Sequence, residues 1–214
     1  MNSKVIILGT AHRRREPGKQ SPDGRLLEYL YSREIVSGVS ERLQSMGHRV
    51  CIDMTAHDLP RDMLVPSSTL ERQRELALRT NYVNEVCRQE GAQNVLYVSM
   101  HVNAADSDGR WHKANGWSVF VCTKCSQHSK VLADCLVDAA LNHGLKVRQP
   151  LPSQKYWEKQ LYVLRHTLCP AVLTENLFQD NLDDVEFLLS DEGRSVIERI
   201  HVAGIINYIN RQNA

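Results

Sequence analysis

Two histidines and one glutamate each follow a short apolar run, and together they are the best candidates for chemistry in this chain: His12, His101 and Glu175. The runs that precede them cover residues 4–9, 94–100 and 170–174. They are rich in β-branched residues and separated by long helical patterns, as in the buried strands of a largely parallel sheet. In such sheets, ligands and catalytic groups collect beyond the carboxyl ends of the strands. These residues therefore indicate a metal centre or an acid–base site.

A catalytic zinc site needs three protein ligands and one open position for water, and a His–Glu–His set is one known solution. His12 and His101 are two candidate ligands, because both end predicted strands. Glu28 is well placed as the third, since it lies in the first turn of the helix that follows strand one. The alternative is that Glu28 only complements the dipole of that helix. The helical pattern alone favours this alternative.

Glu175 has a different predicted role. A carboxylate that ends a buried strand must be paired, hydrated or functional, because burying a bare charge is costly. Beside a metal it would act as a general base towards water and then as a proton donor to a leaving amine. Asp53 ends another predicted strand and is a rival acid, although the loop after it favours a capping or turn role.

The elements that would position these residues alternate between strand and helix. Strands are predicted at 4–9, 49–53, 94–100, 117–121, 161–165 and 170–174, and helices at 26–46, 68–90, 126–143 and 182–209. This order predicts an α/β sandwich with a largely parallel, mixed six-stranded sheet flanked by helices. Because no repeat or linker interrupts it, we expect residues 1–214 to form a single catalytic domain.

Composition excludes several classes of protein. The 214 residues are 42% hydrophobic and 24% charged, which is typical of a globular chain. A formal charge of +1 gives no reason to expect a nucleic acid partner. No apolar stretch approaches the roughly 20 residues that span a bilayer. No export signal is recognisable at the N-terminus, so we expect the protein to be cytoplasmic as synthesised.

The six cysteines are expected to be reduced thiols in a chain without an export signal. Cys122 and Cys125 form a Cys-x-x-Cys pair, and His128 is a third candidate ligand nearby. A structural zinc site needs four ligands, and no second pair follows at a suitable spacing. A turn that carries two cysteines is therefore the preferred interpretation.

The order of these motifs resembles one known family. The segments are Ile-Ile-Leu-Gly-Thr-Ala-His (6–12), then Glu28, Val-Ser-Met-His-Val-Asn-Ala (98–104), and Leu-Arg-His-Thr-Leu-Cys-Pro-Ala-Val-Leu-Thr-Glu-Asn (164–176). Four pieces in this order resemble the zinc-dependent N-acetylmuramoyl-L-alanine amidases of type 3, which are peptidoglycan hydrolases with an α/β fold. One departure is that Thr10, Ala11 and Arg13 replace the glycines usual around the first histidine.

The resemblance implies an activity and a role for each site residue. Zn²⁺ would be held by His12, Glu28 and His101, and Glu175 would be the general base for zinc-activated water. The bond cleaved would be the amide between the lactyl group of N-acetylmuramic acid and L-alanine, in peptidoglycan or a muropeptide. Such a protein would act at the cell wall after release or export by another route, as a phage or prophage lysin does. We expect it to be a monomer.

Two residues are weaker candidates for substrate contact. Arg165 ends a predicted buried strand near Glu175, and a guanidinium suits a carboxylate of the stem peptide, although a structural ion pair explains it almost as well. Asn103 is placed either to orient His101 or to touch substrate. The arginine run at residues 13–15 is interpreted as a solvated loop, with attraction of stem-peptide carboxylates as the alternative.

Two other functions remain open. The chain would be a different zinc peptidase if it acted within the stem peptide, as a carboxypeptidase does. It would be a non-catalytic cell-wall-binding protein if the site were degenerate. The complete ligand set and Glu175 favour an enzyme.

Overall fold

The computed structural model describes residues 4–14 and 16–213. The strands are β1 (Val5–Thr10), β2 (Arg49–Ile52), β3 (Val95–Asn103), β4 (Ser118–Val121), β5 (Trp157–Glu158) and β6 (Ala171–Phe178). The helices are α1 (Glu28–Ser45), α2 (Ser68–Glu90), α3 (Gln127–Asn142), α4 (Tyr162–Arg165), α5 (Leu182–Leu189) and α6 (Asp191–Asn213). Short 3₁₀ turns occupy Arg61–Met63 and Ala92–Asn94.

The strands form one six-stranded sheet in the order β2-β1-β3-β6-β4-β5. Neighbouring strands run parallel except for β4 and β6, which pair antiparallel. The predicted fold class, an α/β sandwich with a largely parallel mixed sheet, is confirmed. The central strands β1, β3 and β6 lie side by side, so their carboxyl ends meet at one edge of the sheet.

Alternation of side chains along the strands divides the core into two layers. On β3, Leu96 and Val98 belong to a cluster shared with helices α1, α3, α5 and α6. Val95 and Tyr97 point the other way, into a smaller cluster with α2 and α4. Because successive side chains of a strand face opposite sides, Ser99 continues the second set and faces the α2 side.

One predicted strand is wrong. Residues 161–165 do not form a strand, because the carbonyl of Leu161 accepts hydrogen bonds from the N–H groups of Leu164 (3.1 Å) and Arg165 (2.9 Å), which closes a helical turn. The remaining strand is instead β5, at Trp157–Glu158. A short apolar run does not distinguish a strand from a buried helical turn by periodicity.

The predicted C-terminal helix is divided in two at Ser190. This residue has an extended backbone (φ −76°, ψ 154°), and its Oγ accepts the N–H of Gly193 at 3.0 Å. A serine that accepts such a hydrogen bond is a favourable N-cap, so α6 starts a new helix there. Within the part of the chain that the structure describes, no helix combines the length and apolar character needed to cross a membrane.

Candidate active site at the carboxyl edge of the sheet

The sheet brings His101 and Glu175 together. They are register partners on the parallel strands β3 and β6, and both lie on the face covered by α2. His12 follows β1, the other neighbour of β3. All three line a cavity of about 500 Å³, which is also lined by residues of α2 and α4. His12, His101 and Glu175 therefore lie together at the carboxyl edge of the sheet, as the sequence predicted.

Glu28 reaches the same place from the first turn of α1. Its Oε1 lies 3.3 Å from Nε2 of His12 and 3.1 Å from Nδ1 of His101. The ligand atoms of the three residues all lie within 4.8 Å of one another. Across residues 4–14 and 16–213, no other group of three or more His, Cys, Asp or Glu residues is arranged this way. The carboxylate thus faces the histidines and does more than complement the helix dipole.

These residues fit a metal ion by their burial and chemistry. The side chains of His12, Glu28 and His101 are 11%, 1% and 15% exposed. Nε2 of His12 and Oε2 of Glu28 are buried without a hydrogen-bond partner, whereas buried polar atoms usually have one. Two imidazole nitrogens and one carboxylate form a donor set suited to a catalytic zinc ion.

The electrostatics keep Glu28 ionised. Burial by itself would raise its pKa, but His12 and His101 outweigh burial and hold the pKa of Glu28 well below its usual value. Its Oε1 also accepts the N–H of Val102 at 3.1 Å, and the Nζ of Lys19 lies 3.6 Å from Oε2. Burial lowers the pKa of His101, which favours the neutral ring that a metal ligand requires.

Glu175 behaves in the opposite way. Burial, reinforced by the negative charge of Glu28, raises the pKa of Glu175 to about 8. Its Oε2 is buried and has no hydrogen-bond partner. A carboxyl group with a pKa near neutrality can both accept and return a proton under physiological conditions. A dication held by the neighbouring ligands would favour the ionised form.

Two residues that contact His101, Asn176 and Ser99, were not among the predicted site residues. Asn176 donates from Nδ2 to the carbonyl of His101 (2.9 Å) and accepts from Nε1 of Trp117 (2.8 Å). The Oγ of Ser99 lies 3.1 Å from Nε2 of His101. Asn176 and Ser99 both lie within the motifs quoted above. Asn176 is one residue from Glu175 and Ser99 is two residues from His101, and this spacing is the sequence signal that could have identified them.

The structure bears on one expectation for each of the two weaker candidates, and substrate contact by either residue stays a prediction. Arg165 is exposed on α4 and does not line the cavity, so its predicted place at the end of a buried strand is wrong. Asn103 does not orient His101, because its Oδ1 accepts the N–H of the adjacent Ala104 at 2.9 Å. The register between β3 and β6 shifts here, because the step from His101 to Asn103 on β3 is matched by the step from Glu175 to Phe178 on β6.

The arginine run is not a uniformly solvated loop. Arg13 is buried, and its Nη2 lies 3.1 Å from Glu16 and 3.3 Å from Glu71. Arg14 is half-exposed beside Asp58, as the prediction of a solvated loop requires. Arg15 lies outside the described residues. For Arg13 that prediction is wrong, because the nearby Glu16 and the distant Glu71 of α2 both pair with it.

The cysteine pair lies in a turn, as predicted. The N–H of Cys125 donates to the carbonyl of Cys122 at 3.1 Å, and Lys124 between them has a positive φ of 63°. Both thiols are partly buried and free. They are not part of the His–Glu–His cluster.

Comparison with known proteins identifies relatives over almost the whole chain. The family model described as N-acetylmuramoyl-L-alanine amidase matches residues 6–207. An endolysin of Bacillus phage SPP1 is 30% identical over 128 residues, which cover 60% of this chain and 45% of the endolysin. The match therefore spans less than half the length of that relative.

Solved structures share the fold. An N-acetylmuramoyl-L-alanine amidase of Clostridium difficile 630 superposes with a TM-score of 0.78 at 18% identity and covers 98% of each chain. The CwlD amidase of Clostridioides difficile, solved with the GerS lipoprotein, gives a TM-score of 0.76 at 21% identity, over 97% of this chain and 99% of that one. Because the family model extends from β1 into α6 and so includes every strand of the sheet, this chain belongs to the N-acetylmuramoyl-L-alanine amidase family.

Proposed function

We propose that this protein is a zinc-dependent amidase that hydrolyses the bond between the lactyl group of N-acetylmuramic acid and L-alanine in peptidoglycan. The observation that carries the proposal is the His12–Glu28–His101 cluster, which opens on the cavity that Glu175 also lines. Membership of the amidase family supports the choice of bond.

The three clustered side chains would hold the metal. Glu28 would supply the negative charge, and its Oε2 is buried without a hydrogen-bond partner, as is Nε2 of His12. His12 and His101 supply neutral nitrogen donors with their ring planes at 88° to each other. When bound, zinc supplies a Lewis acid that acidifies water and polarises the substrate carbonyl.

Glu175 would carry the proton. Its free carboxylate oxygen takes a proton from the water that attacks the amide carbonyl carbon, and the same oxygen returns it to the nitrogen of L-alanine as the C–N bond breaks. This leaves a lactyl carboxylate and a free amino group. Two observations support this role: Glu175 is the register partner of His101 on the neighbouring strand, and it is not part of the His12–Glu28–His101 cluster.

Metal content and product analysis test the proposal together. Protein purified without chelators should carry about one zinc per chain. Digested cell wall should yield stem peptides with a new N-terminal L-alanine and glycan strands with a free lactyl carboxylate. Release of D-alanine from the stem peptide would show a carboxypeptidase instead. Binding to cell wall without any new amino group would show a non-catalytic binding protein.

A further inference from the structure

His12 has a backbone conformation that its residue type does not favour. Its φ is +46°, in the left-handed region where a side chain with a Cβ atom is strained. No glycine stands within two residues of it, and its neighbours Ala11 and Arg13 are buried. Such a conformation persists only when the surrounding structure holds it. The residues that stabilise this backbone conformation therefore also determine where the His12 side chain lies.

Two arginines donate hydrogen bonds to backbone carbonyls at this turn. Arg33 on α1 donates from Nη1 to the carbonyl of Ala11 and from Nη2 to the carbonyl of His12, both at 3.0 Å. Arg79 on α2 donates from Nη2 to the same His12 carbonyl at 3.0 Å. The N–H of Ala11 donates to the Oγ of Ser32 at 2.8 Å. The turn is thus held by side chains from both helices that flank it.

Arg79 is itself firmly held. Its Nη1 donates to Asp53 and to the hydroxyl of Thr10, both at 2.9 Å, and its Nε and Nη2 donate to Glu75 at 3.0 and 2.9 Å. The other oxygen of Asp53 accepts the hydroxyl of Tyr97 at 2.8 Å. Every N–H of the buried guanidinium is therefore used, and the two carboxylates offset its charge.

Arg33 is held by backbone carbonyls and, among the described residues, pairs with no carboxylate; its Nε donates to the carbonyl of Ala56 at 3.2 Å. Its Nη1 also donates to the carbonyl of Tyr29 at 2.7 Å, and its Nη2 to the carbonyl of Ala56 at 2.7 Å. The side chain is only partly buried. Removing its fork therefore leaves no unpaired buried carboxylate, in contrast to Arg79, and the fold should tolerate the change.

We propose that Arg33 and Arg79 are positioning residues for metal binding: they hold His12 in its left-handed conformation and so aim its Nε2 at Glu28 and His101. This inference rests on the proposed zinc site. The planar fork of arginine reaches several carbonyl oxygens at fixed angles, whereas the single ammonium of lysine does not. Lysine at either position should keep the positive charge but lose most of the hydrogen bonds to these carbonyl oxygens.

Zinc affinity measured by competition with a chromogenic chelator tests this directly. In Arg33→Lys the zinc dissociation constant should rise about ten- to a hundred-fold, which is typical when a group supporting a ligand is removed. Cobalt(II) in place of zinc should show an altered visible absorption spectrum, because the geometry at His12 changes. Arg79→Lys should shift both readouts in the same direction. Arg88→Lys is the matched control, since Arg88 lies on α2 in an exposed pair with Glu85.

The outcomes separate this inference from the proposed function. Wild-type protein that fails to bind zinc would overturn the proposed function, and the positioning role with it. Tight zinc binding by wild type together with unchanged affinity and cobalt spectrum in folded Arg33→Lys would overturn the positioning role alone. If zinc affinity and the cobalt spectrum were unchanged but Arg33→Lys melted at a lower temperature, Arg33 would stabilise the fold without positioning the ligand, and the proposal would be overturned.

Discussion

Replacing Glu175 by glutamine should separate catalysis from metal binding. Glutamine keeps the size and polarity of the side chain but cannot accept a proton. Loss of a general base lowers rates by about a hundred- to ten-thousand-fold. Zinc content should stay near wild type, because Glu175 is not among the clustered ligands. The measurement is turbidity clearing of purified cell walls, with zinc determined by mass spectrometry on the same samples.

The same substitution should change how stability depends on pH in the metal-free protein. Burial and Glu28 raise the pKa of Glu175 from 4.5 to about 8. A carboxyl group with a raised folded-state pKa stabilises the fold below pH 4.5, and this contribution is lost as pH rises through about 8. At about 1.4 kcal/mol per pH unit, the wild-type free energy of unfolding should fall by at most about 5 kcal/mol over this range. Glutamine should remove that fall.

Urea denaturation with chelator present, repeated between pH 4 and pH 9, measures this effect. Glu158→Gln is the matched control, because Glu158 is an exposed glutamate on β5 and should leave the pH profile unchanged. Wild-type clearing rates in Glu175→Gln would refute the role of Glu175 as the base. Loss of zinc in that variant would make Glu175 a ligand, and an unchanged pH profile of stability would refute the raised pKa.

Three further outcomes are expected. Glu28→Ala should lose most bound zinc, because two imidazoles alone make a poor site, and equilibrium dialysis against zinc measures the loss. Replacing Cys122 and Cys125 together by serine should leave zinc content and clearing rate near wild type in the same assays. Burial lowers the pKa of His201 from 6.5 to about 4. The stability that this neutral ring contributes is present above pH 6.5 and lost as pH falls towards 4, by up to about 3 kcal/mol. In His201→Gln, the free energy of unfolding measured by urea denaturation should depend less on pH between 6.5 and 4 than in wild type.

The sequence predicted five of the six strands and the edge of the sheet at which the candidate site residues lie. Short β-branched runs between helical patterns predicted parallel strands, and the order of motifs identified the family, both of which are confirmed. The carboxyl ends of parallel strands meet at one edge, so the sequence alone predicts that His12, His101 and Glu175 lie close together. Local period and residue type carry this information, because each depends only on near neighbours along the chain.

Residue type left Glu28 ambiguous. An acidic residue in the first turn of a helix suits the helix dipole whether or not it binds metal. Only the resemblance to a family favoured a ligand role in the sequence, and only the fold shows its carboxylate 3.1 Å from His101 and 3.3 Å from His12. The roles of these residues in binding zinc remain predictions.

The tertiary structure alone decided which polar side chains are buried and what holds them. Arg13 was expected in solvent and is enclosed by glutamates, whereas Arg165 was expected in a buried strand and is exposed on a helical turn. Nothing in the sequence predicts a role for Arg33 or Arg79, yet both donate hydrogen bonds to the carbonyl of His12. A buried charge is stable only through partners that pair with it, and these partners come from segments far apart in the chain. Their meeting depends on the packing of whole elements, which local patterns do not specify.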